Sequence, residues 1–126
     1  MMKKSVSTKK APVAIGPYSQ GIKCGNLVFI SGQLPVDPNT GEIPEGIECQ
    51  TEQSIKNIIE ILKEEGLDLS NVIKTTVFLK DLGNFTKVNE IYGKYFNEPY
   101  PARSCIEIAK LPKDAGIEIE VIATDN

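Results

Sequence analysis

The last third of the chain alternates apolar and polar residues with a period of two. Residues 103–108 and residues 117–122 both show this alternation. Successive side chains of a β-strand point to opposite faces of a sheet, so each segment predicts a strand with one face against a core. A sheet of such strands requires a covering layer on one side, and this requirement limits the folds open to the chain.

Two amphipathic segments can supply that layer. Between residues 48 and 65, apolar residues recur at the i, i+3, i+4, i+7 spacing of a helical face, namely Ile55, Ile58, Ile59 and Leu62. Gly66 follows where a C-terminal cap is expected. A second helix is predicted over residues 85–96, with an inner face of Phe85, Val88, Tyr92 and either Tyr95 or Phe96.

The residues before position 80 predict three more strands. Two short apolar runs flank Gly25 and Asn26, which is the spacing and composition of a tight β-hairpin. The run at residues 27–30 lacks polar alternation, so we expect this strand to be covered on both faces. Residues 73–79 predict a central strand.

The order of these elements is ββαβαββ, an α+β fold with both helices on one face of the sheet. We expect one domain over residues 1–126, with residues 1–12 loosely ordered or extended.

The amino-acid composition restricts the possible chemistry of the chain more than it restricts the fold. The chain has 126 residues and no histidine, which excludes imidazole bases, Ser-His-Asp triads and imidazole metal sites. The net charge is −3 with acidic and basic residues mixed, which disfavours a nucleic-acid-binding surface. No metal site is predicted.

Cysteine usage and hydropathy indicate the compartment. The three cysteines (Cys24, Cys49 and Cys105) form no short-spaced pair, which favours free thiols in a reducing cytoplasm. The polar stretch at residues 5–10 lacks the apolar region of a signal peptide, and no run of about 18 apolar residues occurs. We therefore expect a cytoplasmic protein that does not enter a membrane.

The polar face of the last two strands is the predicted location of any chemistry. One face of these two strands carries four isoleucines, at positions 106, 108, 117 and 119. If the helices cover that face, the opposite face carries Arg103, Cys105, Glu107, Glu118 and Glu120. One interpretation is a solvated face with ordinary cross-strand ion pairs. The other is a homo-oligomer that closes over this face and forms a pocket between subunits.

Three residues of this face are candidates for direct roles. Arg103, directly after a rigid Pro-Ala step, can bind a carboxylate through two parallel hydrogen bonds, or it can form a surface salt bridge with Glu118 or Glu120. Cys105 shares the face of Arg103, and without histidine it is better suited to line a pocket than to act as nucleophile. Glu118 can transfer a proton to or from water, or be a solvated charge.

Several motifs resemble one known family. They are IGPYSQG at residues 15–21, ISGQLP at 30–35, VN at 88–89, PARSCIEIAKLPKD at 101–114 and IEIE at 117–120. In this order they are similar to the RidA family, also called YjgF/YER057c/UK114, the reactive intermediate deaminases. The resemblance extends from about Ile15 to Ala123.

The resemblance implies a chorismate-mutase-like homotrimer, with sheets inside, helices outside and clefts between subunits. It also implies an enzyme without a cofactor that hydrolyses 2-imino and 2-enamino acids, such as 2-aminoacrylate and 2-aminocrotonate, to 2-keto acids and ammonia.

The same resemblance implies a role for each matching residue. Arg103 would bind the substrate carboxylate, and Glu118 would position the attacking water. The other pocket residues would be Cys105 and Tyr18 in the walls, Ser31 and Gly32 in the floor, and Asn89 near the cleft.

The principal alternative is a binding module of the same fold. A trimer that senses 2-keto acids, or a regulatory or chaperone-like protein, would use the same cleft without turnover. A ribonuclease is disfavoured by the acidic charge and the lack of histidine, and chorismate mutase activity would rest on the fold alone.

Overall fold

The architecture is one mixed six-stranded sheet with two helices packed on one of its faces. It is described from a computed structural model for residues 2–126. In chain order the elements are β1 (Lys3–Val6), β2 (Gly21–Cys24), β3 (Leu27–Gln33), α1 (Ile47–Lys63), β4 (Val72–Leu79), α2 (Phe85–Tyr95), β5 (Ala102–Glu107) and β6 (Ile117–Thr124).

The strands lie in the order β1-β2-β3-β6-β4-β5. All neighbours are antiparallel except β4 and β5, which are parallel. Parallel neighbours need a crossover, and α2 provides it, as the βαβ unit requires. The predicted hairpin is confirmed: Cys24 pairs with Leu27 across a turn in which Gly25 has φ 62°, a conformation that glycine adopts readily.

Helix α1 has the predicted amphipathic face. Ile55, Ile58 and Leu62 are completely buried, while Ile59 packs partly buried at the edge of the core. Gly66 ends this region with φ 70°, and its N–H donates to the carbonyl of Lys63 at 3.0 Å. The left-handed residue and the capping of the last turn agree with the expected C-terminal signal.

Helix α2 buries Val88, Tyr92 and the following Phe96, as predicted. The prediction for Phe85 is wrong, because this ring is 37% exposed at the first residue of the helix.

Two predictions about the strands also need correction. Residues Lys3–Val6 form a strand that pairs with β2, so the order is βββαβαββ; of the two alternatives given for the N-terminal segment, this part is extended and not loosely ordered. Backbone pairing, and not an apolar pattern, holds this strand in place, because Val6 alone of its four residues is buried. In β3, Val28 and Ile30 are buried but Phe29 is 42% exposed, so within this chain only one face of the strand is covered.

The core lies between the helices and the helix-facing side of the sheet. Val77, Ile117 and Ile119 of the central strands are completely buried there. The opposite face, which we call the open face, is covered by no helix. Within residues 2–126 no helix is long and apolar enough to cross a membrane.

We predict that Ile58→Ala destabilises the protein by about 2–5 kcal/mol, because it leaves a cavity beneath α1. Lys56→Ala, at an exposed position of the same helix, should change stability by less than about 0.5 kcal/mol. Urea unfolding of both variants measures the difference. Equal effects would contradict the assignment of the buried face.

Candidate functional site

A cavity of about 760 Å³ lies on the open face, where β3, β4 and β6 meet three loop segments. Its walls include Tyr18, Ser31, Gly32 and Glu118. Four of the predicted site residues therefore line one cavity. A second cavity of about 440 Å³, beside Leu69, Phe96 and Pro99, contains none of them.

The floor of the larger cavity is a bulge in β3. Ile30 pairs with Val121 and Gln33 pairs with Ile119, so both Ser31 and Gly32 stand opposite Glu120. A bulge of this kind redirects the strand and its side chains.

Gly32 leaves space for Glu118. A Cβ atom at residue 32 would lie 2.7 Å from Cδ of Glu118, closer than two carbon atoms can approach. Any other side chain at this position would displace the carboxylate of Glu118, so the backbone of the bulge determines where this group lies.

The loop that carries Tyr18 is tied to the bulge by hydrogen bonds. The hydroxyl of Ser31 donates to the carbonyl of Ser19 at 2.6 Å, and the N–H of Ser31 donates to the carbonyl of Gln20 at 2.9 Å. The Tyr18 ring stays 53% exposed at the cavity wall.

The side chain of Gln20 is an anchor that the sequence analysis missed. It is buried, it accepts from the N–H of Thr8 at 2.7 Å, and it donates to the carbonyl of Pro12 at 2.7 Å. The amide therefore joins the N-terminal segment to the loop before Gly21. A glutamine within a loop gives no sequence signal that separates this role from simple exposure.

Glu118 is a half-buried carboxyl in the cavity wall. Burial raises its pKa above the ordinary value, and the nearby charge of Glu120 raises the pKa further. Within residues 2–126 it forms no hydrogen bond or ion pair, so its oxygens are free to accept a proton or to hold water.

Arg103 is held by helix α2. Its Nη1 donates to Oδ1 of Asn89 at 2.8 Å. Its Cζ lies over the ring of Tyr92, 4.8 Å from the centroid, and 5.5 Å from the centroid of Phe85. The alternative of a salt bridge to Glu118 or Glu120 is wrong, since the described part of the chain offers Arg103 no ion-pair partner.

Cys105 lies on the same face as Arg103, as predicted. Burial raises the pKa of its thiol, and the charge of Arg103 opposes this effect without reversing it. The thiol is therefore protonated at neutral pH and is a poor nucleophile. Cys105 lines neither of the two cavities described above, so its role in lining a pocket stays a prediction.

The predicted grouping of all five polar residues on one face is wrong. Paired residues of neighbouring strands share a face, and Val77 pairs with both Cys105 and Ile119. Cys105 and Arg103 therefore lie on the helix-covered side, while Glu118, which pairs with Phe78, lies on the open face. Alternation alone could not decide the inward face of β5, because isoleucines occupy one of its faces and cysteine the other.

The contact of Phe85 and Tyr92 with Arg103 was also missed. The available signal was the i, i+4, i+7 spacing of Phe85, Asn89 and Tyr92, which places all three on one stripe of α2.

For metals, residues 2–126 contain no group of three or more cysteine or carboxylate side chains able to hold an ion.

We predict that Glu118→Gln raises the melting temperature at pH 7. The pKa of Glu118 is higher in the folded protein than in the unfolded chain, so its ionisation favours unfolding. The stabilisation should disappear below the unfolded pKa and grow as the pH rises through the folded pKa. Thermal unfolding of both proteins from pH 4 to pH 8 measures it, and a gain that is independent of pH would contradict the shift.

Comparison with known proteins gives consistent matches along the chain. The family model described as "Endoribonuclease L-PSP" matches residues 8–125. The 2-iminobutanoate/2-iminopropanoate deaminase of Escherichia coli K12 is 50% identical over 125 residues, which cover 97% of this chain and 98% of that protein.

Solved structures give the same result for the fold. The YjgF gene product of E. coli matches with a TM-score of 0.94 and 48% identity, over 98% of this chain and 99% of that one. E. coli TdcF with bound serine matches with a TM-score of 0.93 and 47% identity, over the same shares of the two chains. With the matching family model and these identities, the chain belongs to the endoribonuclease L-PSP family, which is the RidA (YjgF) family.

Proposed function

We propose that this protein is a 2-iminobutanoate/2-iminopropanoate deaminase, which hydrolyses 2-imino acids and their enamine tautomers to 2-keto acids and ammonia. The observation that carries the proposal is 50% identity with the E. coli deaminase over almost the whole chain. The arrangement of Arg103 and Glu118 supports it, because the reaction requires a carboxylate-binding cation and a group that handles protons beside water.

The position of these two residues supports a site built from two copies of the chain. They lie on opposite faces of the sheet, and β4 separates β5 from β6. A substrate with three or four carbon atoms cannot contact both within one chain, because neighbouring strands are about 4.8 Å apart and the sheet lies between them.

We infer that the assembly is a chorismate-mutase-like homotrimer with its open sheet faces inside. Phe29, Ile73 and Ile106 are each more than 40% exposed, and Phe29 and Ile106 belong to the face that such packing would bury. Closed symmetric assemblies bury such surfaces and often place sites at the subunit junctions.

In the proposed site, Arg103 of one copy binds the substrate carboxylate through its free N–H groups. Asn89 holds the guanidinium, and Cys105 lines the wall beside it. The neighbouring copy supplies Tyr18 as a second wall, with Ser31 and Gly32 as the floor. Binding in this way places the C2 atom of the substrate against Glu118.

Glu118 then positions water for attack on C2 of the imine. Glu118 takes a proton from the water as the O–C2 bond forms, and the electron pair of the C=N bond moves to nitrogen, which becomes protonated. In the resulting carbinolamine, Glu118 takes the hydroxyl proton and returns a proton to nitrogen, and the C2–N bond breaks with its electron pair leaving on nitrogen as ammonia. The products are a 2-keto acid and ammonia, and no atom is oxidised or reduced.

The elevated pKa of Glu118 suits this exchange, since a carboxyl that binds protons more readily serves better as base and acid near neutral pH. Positioning supplies most of the acceleration, because the imine carbon is already electrophilic. The reaction as written uses no cofactor.

Other properties remain predictions from the sequence. The net charge of −3 disfavours binding to nucleic acid, despite the ribonuclease name of the family model. The cytoplasmic location that we propose rests on the sequence, in which the three cysteines form no short-spaced pair.

A second candidate is a ligand-binding protein without turnover. The structure of E. coli TdcF contains bound serine, and this chain is 47% identical to it. A trimer that senses 2-keto acids, or that acts as a regulatory or chaperone-like protein, would use the same cleft. Binding of a 2-keto acid without accelerated hydrolysis would identify this function.

We predict that Arg103→Ala lowers kcat/KM for 2-aminocrotonate about 100-fold or more, because the substrate carboxylate loses a charge-assisted pair of hydrogen bonds. The substrate is generated in place by a threonine dehydratase, and release of the keto acid is measured. Lys87→Ala, which removes the same charge from an exposed position of α2, should keep wild-type activity.

Unchanged activity in Arg103→Ala would contradict the role of Arg103. No acceleration by the wild-type protein, when it is folded and binds the keto acid, would contradict the deaminase and favour the sensor.

A further inference from the structure

Arg103 belongs to strand β5 but lies against helix α2, and its contacts there are more specific than a surface arginine requires. Phe85, Asn89 and Tyr92 lie on one stripe of the helix, and Arg103 crosses this stripe from strand β5. An aromatic ring lies at each end of the stripe, and between them the amide of Asn89 accepts one N–H of the guanidinium.

We propose that Phe85 and Tyr92 form an aromatic slot that positions the guanidinium of Arg103 for the substrate carboxylate. Both are thus positioning residues, since they act through Arg103. This inference rests on the carboxylate-binding role of Arg103 in the proposed function.

Tyr92 is the immobile wall of the slot. It is 6% exposed, and its ring stacks on Phe96 with centroids 4.3 Å apart. Its hydroxyl forms a buried hydrogen bond of 2.9 Å with the hydroxyl of Thr75, the residue that pairs with Arg103 across β4 and β5. The strand pair that carries Arg103 therefore also fixes the ring beneath it.

Phe85 is the outer wall. A phenylalanine that is 37% exposed contributes less to the stability of the core than a buried one, so stability alone does not explain why position 85 carries an aromatic ring. Its ring lies near the guanidinium, and the electron-rich face of an aromatic ring attracts a cation. Together the two rings restrict a long, exposed side chain that would otherwise have many rotamers.

Aromatic contact suits a carboxylate-binding arginine better than a salt bridge would. A carboxylate partner within the chain would occupy the N–H donors and neutralise the charge that the substrate needs. Contact with a ring leaves those donors unused, and Asn89 occupies only Nη1. The slot thus orients the guanidinium and keeps it available for a bidentate ligand.

Phe85 allows a test that separates the slot from general stability. Phe85→Leu keeps an apolar side chain but removes the ring, whereas Phe85→Tyr keeps the ring. Binding of 2-oxobutanoate, a 2-keto acid, is measured by calorimetry for both variants, for Arg103→Lys and for the wild type. Steady-state kinetics and melting temperatures are measured on the same proteins.

We expect Phe85→Leu to raise both the Kd for 2-oxobutanoate and the KM about fivefold, because the cation–π contact that positions Arg103 is lost. The kcat should stay within about twofold of the wild-type value, since Phe85 acts on binding. Phe85→Tyr should bind as the wild type does, and both variants should melt within a few degrees of it.

Wild-type Kd and KM in Phe85→Leu, or an equal loss in Phe85→Tyr, would overturn the slot. If Phe85→Leu has no effect while Arg103→Lys binds poorly, only the slot fails. If Arg103→Lys itself binds as the wild type does, the role of Arg103 in the proposed function fails instead.

Discussion

The register between β4 and its two neighbours determines the faces on which Arg103, Cys105 and Glu118 lie. Val77 pairs with Cys105 on one side and with Ile119 on the other, which turns Arg103 toward the helices and Glu118 toward the open face. A shift of one residue in either pairing would move a whole set of side chains to the opposite face. The buried residues of β4 and β6 oppose such a shift, because it would expose them to water.

The two charged groups have opposite environments that suit their proposed tasks. Arg103 is exposed and held by rings and an amide, so its charge is retained for a ligand. Glu118 is half-buried beside Glu120, so its affinity for a proton is increased. The bulge at Ser31 and Gly32 provides the space for this carboxyl. In the proposed assembly, a substrate between Glu118 of one copy and Arg103 of another would meet a proton acceptor and a cation together.

Much of the fold could be predicted from local patterns. The hairpin at Gly25, the apolar face of α1 and the glycine after it depend on neighbouring residues, and the sequence indicates them directly. Strand β1 could not be predicted, because its order comes from pairing with β2 and its own residues are mostly polar.

The site was predictable as a set of residues but not as an arrangement. The polar pattern of the last two strands selected Arg103 and Glu118, and motif resemblance added Tyr18 and Gly32. The structure places Glu118, Tyr18 and Gly32 around one cavity. The face of β5 follows from its parallel pairing with β4, which is a long-range property. Alternation along a strand shows two faces but does not show which one meets the helices.

The most direct test of the account is complementation between two inactive variants. Arg103→Ala and Glu118→Gln chains are co-expressed, mixed oligomers are isolated, and their deaminase activity is compared with that of each variant alone. If each site takes Arg103 from one copy and Glu118 from the next, every mixed oligomer of the proposed trimer contains one intact site in three, so it should restore about one third of wild-type activity. Mixed oligomers as inactive as the single variants would contradict a site shared between two chains.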